Sequence, residues 1–188
     1  TDIALIDEAT GRIYNGKVSS TPQDPSQGFM AAVERLVEQQ GIAPDAVSYI
    51  VHGTTVATNA IIEGKVAPTA FITTEGFRDM LEIARQIRPE LYNLQFEKPR
   101  PLVPRHHCFG VPERLDARGE VLVPLDEDAL RQVAGELKEA GVESIAVCFL
   151  HAYANPIHER RAGEILAEVF PQAVVSLSAE VAPEFREY

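Results

Sequence analysis

Cysteine is almost missing: Cys108 and Cys148 are the two in 188 residues. Two thiols cannot build a disulfide framework or a tetrathiolate zinc site. Cys148 lies in the apolar run Ile145–Leu150 and reads as a small buried hydrophobe. No apolar run approaches the roughly 20 residues that span a bilayer, and no basic-then-apolar leader opens the chain. The expected compartment is the cytoplasm. Positive charge is also scarce, with 17 Lys and Arg against 28 Asp and Glu, a net charge of −11. That balance argues against a broad nucleic-acid or anionic-membrane surface. There is no initiating Met either; the chain opens on Thr1 and reads as starting away from a natural start.

What is present suffices for a core, since 45 % of the residues are hydrophobic. Ile3–Asp7 and Arg12–Val18 flank a turn-like Glu8–Gly11 and predict a β-hairpin. Ser26 is the expected N-cap of a helix through Phe29, Val33, Leu36 and Val37, stopped by Gly41. Val47–Val51 has the β-branched composition of a buried strand. A helix over Val56–Glu63, a strand over Thr69–Thr73 and a helix from Phe77 to Ala84 follow. This alternation predicts crossover units and a largely parallel sheet. Arg88–Pro112 holds five of the 13 prolines. It predicts an ordered surface excursion packed through Leu91, Tyr92, Leu94, Phe96 and Leu102. A hairpin over Glu113–Val123 turns at Asp116–Gly119, and Asp126 N-caps a helix that buries Leu130, Val133, Ala134 and Leu137. Ser144–Leu150 reads as a central parallel strand. A helix from Asn155, a strand over Val174–Ser178 and the start of a helix at Pro183 complete the pattern.

Chemistry concentrates at His52-Gly53-Thr54-Thr55-Val56-Ala57-Thr58-Asn59. A glycine between an apolar strand and a helix lets backbone approach a ligand, and a helix N-terminus attracts anions. The alternative is N-capping by Thr54 or Thr55. The run lacks the lysine of a P-loop. His52 stands at a strand's carboxyl end, the usual ligand edge of an open α/β sheet. Arg85, Gln86 and Arg88 follow a helix and could grip a carboxylate or phosphate; the spacing favours service to the helix's own terminal carbonyls or surface ion pairs. His106-His107-Cys108 and the pair His151 and His158 lack metal-ligand spacing, so no metal site is expected. Glu113-Arg114 reads as a solvated pair.

Several motifs in order carry a family resemblance. His52–Ala60, Ile72–Asp79, Arg85–Tyr92, Val111–Arg114, Gly119–Val121, Pro124–Asp126, His151–Pro156 and Ser178–Glu184 together resemble the N-terminal region of the hydantoinase A/5-oxoprolinase family. The resemblance implies an α/β fold with an actin/Hsp70/sugar-kinase-like (ribonuclease H-like) sheet, truncated at its N-terminus, with an additional small α/β region. It divides the chain into a partial ATPase-like region over 1–87, the proline-rich excursion over 88–112 and a second α/β region over 113–188.

The implied activity is ATP-dependent hydrolysis of cyclic amides, hydantoin or 5-oxoproline in type. ATP phosphorylates the carbonyl oxygen, and water opens the ring. A subunit of an ATP-dependent acetone or acetophenone carboxylase is the alternative, and a non-catalytic subunit-interaction module, docking through Tyr92, Phe96 and Phe109, is another. ATP and Mg²⁺ are the cofactors implied for the full-length protein. The implied partners are a cyclic-amide substrate and a hydantoinase B-type subunit or domain in a hetero-oligomer. By the same resemblance Asp2 lies beside the phosphate turn, and Gly53, Thr54, Thr55, Thr58 and Asn59 line a nucleotide cleft. His52, Arg85, Gln86 and Arg88 make substrate or domain contacts. The family usually opens with a strand and a Gly-Gly-Thr-Phe-Thr-Asp turn, of which Thr1-Asp2 matches the end, so the fragment alone is expected to be inactive. Ala84 and Ile87 stand where Gly and Asn are commoner.

Overall fold

The computed structural model describes residues 1–87 and 92–185, which divide into two compact units, 1–54 and 55–188. In the first, β1 (Asp2–Ile6) and β2 (Ile13–Lys17) pair antiparallel, with Leu5 opposite Tyr14. Asp7 closes the turn, its carboxylate accepting from the Ala9 and Thr10 amides and the Thr10 hydroxyl. Helix α1 (Pro25–Gln40) lays Ala32 and Leu36, each 1 % exposed, on the hairpin. It comes close because β2 offers Gly16 there; a Cβ would meet Ile3 Cγ2 at 3.0 Å and Leu36 Cδ1 at 3.6 Å. The helix is capped by Asp24, whose carboxylate accepts from the Ser26 amide at 3.1 Å, and not by Ser26 as the sequence suggested. Pro25 then occupies the first helical position, where its missing N–H costs nothing.

Val47–Val51 does not form the expected strand. Tyr49, Ile50 and Val51 are 80 %, 56 % and 77 % exposed. β-branched composition favours a pleated surface, but a strand exists only where a neighbour completes its ladder. No described residue of the first unit pairs with this segment.

The second unit begins with α2 (Val56–Glu63), closed by Gly64 at φ 66°. Its centre is a four-stranded, all-parallel sheet in the order β4-β3-β7-β8, from Cys108–Val111, Thr69–Thr74, Ser144–Cys148 and Val174–Leu177. β4 is a correction to the sequence reading, because a sheet strand emerges from the proline-rich excursion. Gly110 disguises it, and it is a glycine because a Cβ would stand 3.0 Å from the Glu75 backbone. The excursion does not pack as expected either: Tyr92, Leu94 and Leu102 are 91 %, 97 % and 60 % exposed. Leu91 lies outside the described residues. Phe109, proposed as a docking ring, packs instead against the main core.

The expected Phe77–Ala84 helix shrinks to a single turn, α3 (Met80–Ile83). After β4 the chain makes a small hairpin, β5 (Arg114–Leu115) and β6 (Val121–Val123). α4 (Glu127–Glu139) follows, capped as expected by the Asp126 carboxylate on the Ala129 amide. α5 (Ile157–Val169) links β7 to β8, and a short α6 (Ser178–Val181) follows β8, ahead of the helix expected at Pro183. α4 and α5 pack on each other and, with the sheet, enclose Ile72, Leu130, Leu137, Ile145, Val147, Ile165 and Leu166. The opposite sheet face carries a smaller cluster, Phe71, Val103 and Cys108, with Leu81, Ala146 and Cys148 partly buried beside it. Cys148, read from its apolar run as buried, is half-buried, and Cys108 is the buried thiol. Among the described residues no helix is long and apolar enough to cross a membrane.

Leu137, fully buried under the sheet, sets the scale of this core. Leu137→Ala is expected to cost about 2–5 kcal/mol, read as a lower urea midpoint at unchanged slope; a loss far below that range would show a loosely packed core.

Candidate functional site

Residues 51–59 are exposed throughout. His52, Gly53 and Thr54 end the first unit, and Thr55, Thr58 and Asn59 begin the second. The His52 ring packs on Phe29 at 4.7 Å between centroids, tilted by 46°. Gly53 has no left-handed backbone to explain it, and among the described residues nothing lies within 4 Å of a Cβ built there. Packing among the described residues therefore does not demand a glycine at that point. Thr55 occupies the N-cap of α2, yet its side chain does not bond a first-turn amide. Its hydroxyl instead faces the Asn59 amide group, which donates to it at 3.4 Å. The capping explanation thus fails for Thr55, and the exposed N-terminus of α2 carries the positive end of its dipole.

Asp2, at the start of β1, pairs with Lys17 at 3.2 Å; both side chains are more than three-quarters exposed, so the pair contributes little. Arg85 and Gln86 are exposed beyond α3. Arg88 lies outside the described residues. The backbone there is unusual: Gln86 has φ 54°, and Ala84 has φ 48° with ψ −148°, a region that glycine enters freely and alanine does not. Thus the structure holds the Ala84 position in a glycine-type conformation. Among the described residues no group of three or more His, Cys, Asp or Glu is arranged to hold a metal.

A second constellation escaped the sequence reading. At the carboxyl ends of β3, β4, β7 and β8 a buried polar network replaces apolar packing. Glu113, expected to be solvated, is 3 % exposed. Its carboxylate accepts from the Thr74 hydroxyl and stands 2.7 Å from His158 Nδ1. Thr74 in turn accepts from the Leu150 amide at 3.0 Å. Glu159, fully buried, accepts from the Phe149 amide at 2.9 Å, the Ser178 hydroxyl at 2.6 Å and the Ala179 amide at 2.8 Å. A carboxylate taken from water needs such donors. Burial nevertheless raises the Glu159 carboxyl above its ordinary value; the three donors oppose the shift, and neighbouring Glu113 adds to it.

The signal was present in α5. His158 and Glu159 share the helical stripe of Ala162, Ile165 and Leu166, where polar residues are out of place unless partnered. Their partner Glu113 lies 45 residues away from His158, beyond any local pattern. Nearby, His151 has φ 64°, and its Nδ1 lies 3.4 Å from the Tyr153 hydroxyl.

Two measurements follow from this geometry. A carboxyl whose folded-state pKa is raised favours folding fully below its unfolded value and loses that contribution as pH rises through the folded value. The unfolding free energy of the native chain minus that of Glu159→Gln should therefore fall as pH climbs from about 4 to about 7; urea titrations in which this difference stays flat or grows contradict the burial effect. Separately, Ala84→Gly should stabilise the chain by about 1 kcal/mol, seen as a higher urea midpoint, whereas a loss would mean that the glycine-type conformation is not held in solution.

Residues 1–170 match the family model described as the hydantoinase/oxoprolinase N-terminal region. An uncharacterized protein of Methanocaldococcus jannaschii is 39 % identical over 191 residues, covering 100 % of this chain and 28 % of that protein. A nucleotide-free structure of acetone carboxylase, from work on ATP-dependent acetone carboxylation, superposes with a TM-score of 0.89 at 30 % identity, covering 99 % of this chain and 28 % of that one. The ATP-dependent caprolactamase of Pseudomonas jessenii gives a TM-score of 0.87 at 30 % identity, with 100 % and 28 % covered. The chain spans little more than a quarter of the length of these relatives. Over residues 1–170, from β1 through the end of α5, the chain belongs to the hydantoinase/oxoprolinase family, as its N-terminal region.

Proposed function

We propose that the full-length protein is an ATP-dependent hydrolase of cyclic amides, of the hydantoin or 5-oxoproline type, and that this chain supplies part of its nucleotide site. The observation that carries the reading is the match of residues 1–170 to the family, joined to the superposition of this chain on 28 % of an ATP-dependent caprolactamase chain. Bound ATP supplies the phosphoryl group that activates the lactam carbonyl oxygen, after which water opens the ring. This chain's part is to bind and orient phosphate. The exposed N-terminus of α2 presents partial positive charge, Thr55, Thr58 and Asn59 add side-chain donors, and Gly53 brings exposed backbone with Thr54 beside it. Asp2 belongs to the same reading, but its carboxylate is engaged by Lys17. With no group of three or more His, Cys, Asp or Glu near it among the described residues, Asp2 does not itself compose a magnesium site.

The same reading gives the module an actin-like, ribonuclease H-like sheet in the complete protein, in three stretches over 1–87, 88–112 and 113–188. His52, Arg85, Gln86 and Arg88 contact substrate or another domain, and a hydantoinase B-type subunit is the partner. A ketone carboxylase subunit is the second reading, favoured by the TM-score of 0.89 with acetone carboxylase.

ADP release by the full-length protein separates the two. Hydrolase action predicts ATP turnover that depends on hydantoin, 5-oxoproline or caprolactam and not on bicarbonate; turnover that needs a ketone and bicarbonate selects the carboxylase. In either enzyme Thr58→Val should raise the KM for ATP about tenfold, the loss of one hydrogen bond to a charged group. The melting temperature should not change, because α2 buries none of its side chains. An unchanged KM removes Thr58 from the nucleotide site.

A further inference from the structure

His158 has one ring nitrogen fixed and the other left open. It sits in the first turn of α5, with 9 % of its side chain exposed. The hydrogen-bond directions can be traced from a group with no choice. The Leu150 amide must donate, and it donates to Thr74 Oγ1. The single Thr74 hydrogen then points to Glu113 Oε1, so the Glu113 carboxylate is already an acceptor on one side. Its other oxygen lies 2.7 Å from His158 Nδ1, where a carboxylate accepts the ring hydrogen. In the neutral ring that Nδ1–H arrangement leaves the lone pair on the second nitrogen, Nε2. Among the described residues Nε2 has no hydrogen-bond partner, and it is not one of the sealed polar atoms, which are Thr73 Oγ1 and His107 Nδ1. It therefore reaches solvent.

From this relay the geometry assigns His158 the role of proton acceptor at the carboxyl edge of the parallel sheet, with Glu113 and Thr74 as positioning residues. The ligand class is a small molecule or water that brings an N–H or O–H to Nε2. In the transfer that bond breaks, its electron pair stays on the ligand atom, the hydrogen binds Nε2, and the Glu113 carboxylate stands against the new positive charge across the Nδ1 hydrogen bond. Glu159, next on the helix, does not compete for His158, because it is occupied by Phe149, Ser178 and Ala179. The place fits the role. Open α/β sheets take their ligands at the carboxyl edge, and this edge also holds His151 in a left-handed conformation that costs a non-glycine residue on the order of 1 kcal/mol. The assignment does not depend on the nucleotide reading.

Diethyl pyrocarbonate, which acylates unprotonated imidazole nitrogen, tests it on the 188-residue chain, with modification of each histidine followed by mass spectrometry. His158 should react in the folded chain, and nitrogen-15 spectra should show it as the Nδ1–H tautomer. In Glu113→Gln the amide can donate to Nδ1 and move the hydrogen to Nε2, so the His158 rate should fall roughly tenfold while His52 and His106 react as before. Thr74→Ser should keep the native rate and Thr74→Val should lower it, which a purely space-filling role would not do. An inert His158, an Nε2–H tautomer, or a Glu113→Gln rate equal to the native one overturns the assignment. Should Glu113→Gln fail to fold, the tautomer and reactivity of the native chain still decide.

Discussion

The carboxyl edge of the sheet depends on one side chain that has no business being inside a protein unpaired. Glu159 gathers the amides of Phe149 and Ala179 and the Ser178 hydroxyl, and so ties the ends of β7 and β8 to the start of α5. Those backbone donors lie where strands stop and cannot be satisfied by the ladder. An apolar residue at 159 would leave them unpaired, at about 1–3 kcal/mol for each buried group. Glu113 performs the same service from the other side, joining the β4–β5 connection to Thr74 and His158. The geometry of His158 is therefore a by-product of how the edge is closed, and fold and chemistry rest on the same carboxylates.

The turn at His52–Asn59 obeys the opposite logic. Among the described residues nothing lies within 4 Å of a Cβ built at Gly53, the Thr55 side chain does not cap α2, and every residue from 51 to 59 is exposed. The buried network explains its residue types by contacts within the chain; Gly53 in the turn has no such explanation among the described residues. That contrast is why the phosphate reading attaches to the turn and the proton-acceptor reading to the edge.

What the sequence disclosed was whatever local physics decides. Asp126 three residues ahead of Ala129, Gly41 and Gly64 after their helices, and the apolar run of β7 are each settled within a few residues. Even so, Asp24 outranked Ser26, since the proline between them marks the first helical position. Features settled by distant partners were hidden. Val47–Val51 has strand composition without a strand beside it in its own unit, and β4 looks like a loop until Thr74 and Glu75 are brought against it. The Glu113–His158 pair joins residues that no window spans. Family resemblance supplied the functional class for the turn; its motifs include Thr74, Glu113 and Ser178 of the buried edge but assigned them no role.

The β5–β6 hairpin has a consequence for how this molecule behaves in a crowded solution. Val121, Leu122 and Val123 are 46 %, 62 % and 46 % exposed, an uninterrupted apolar strip of the kind that recruits a second chain into a ladder. The strip is three residues long, and Pro124, with no N–H to offer, ends it. At the other end the hairpin is fastened by Asn155, whose side chain donates to the Gly119 carbonyl at 2.8 Å. Brevity, a terminating proline and a net charge of −11 together let the chain display an apolar strip without offering a template for self-association.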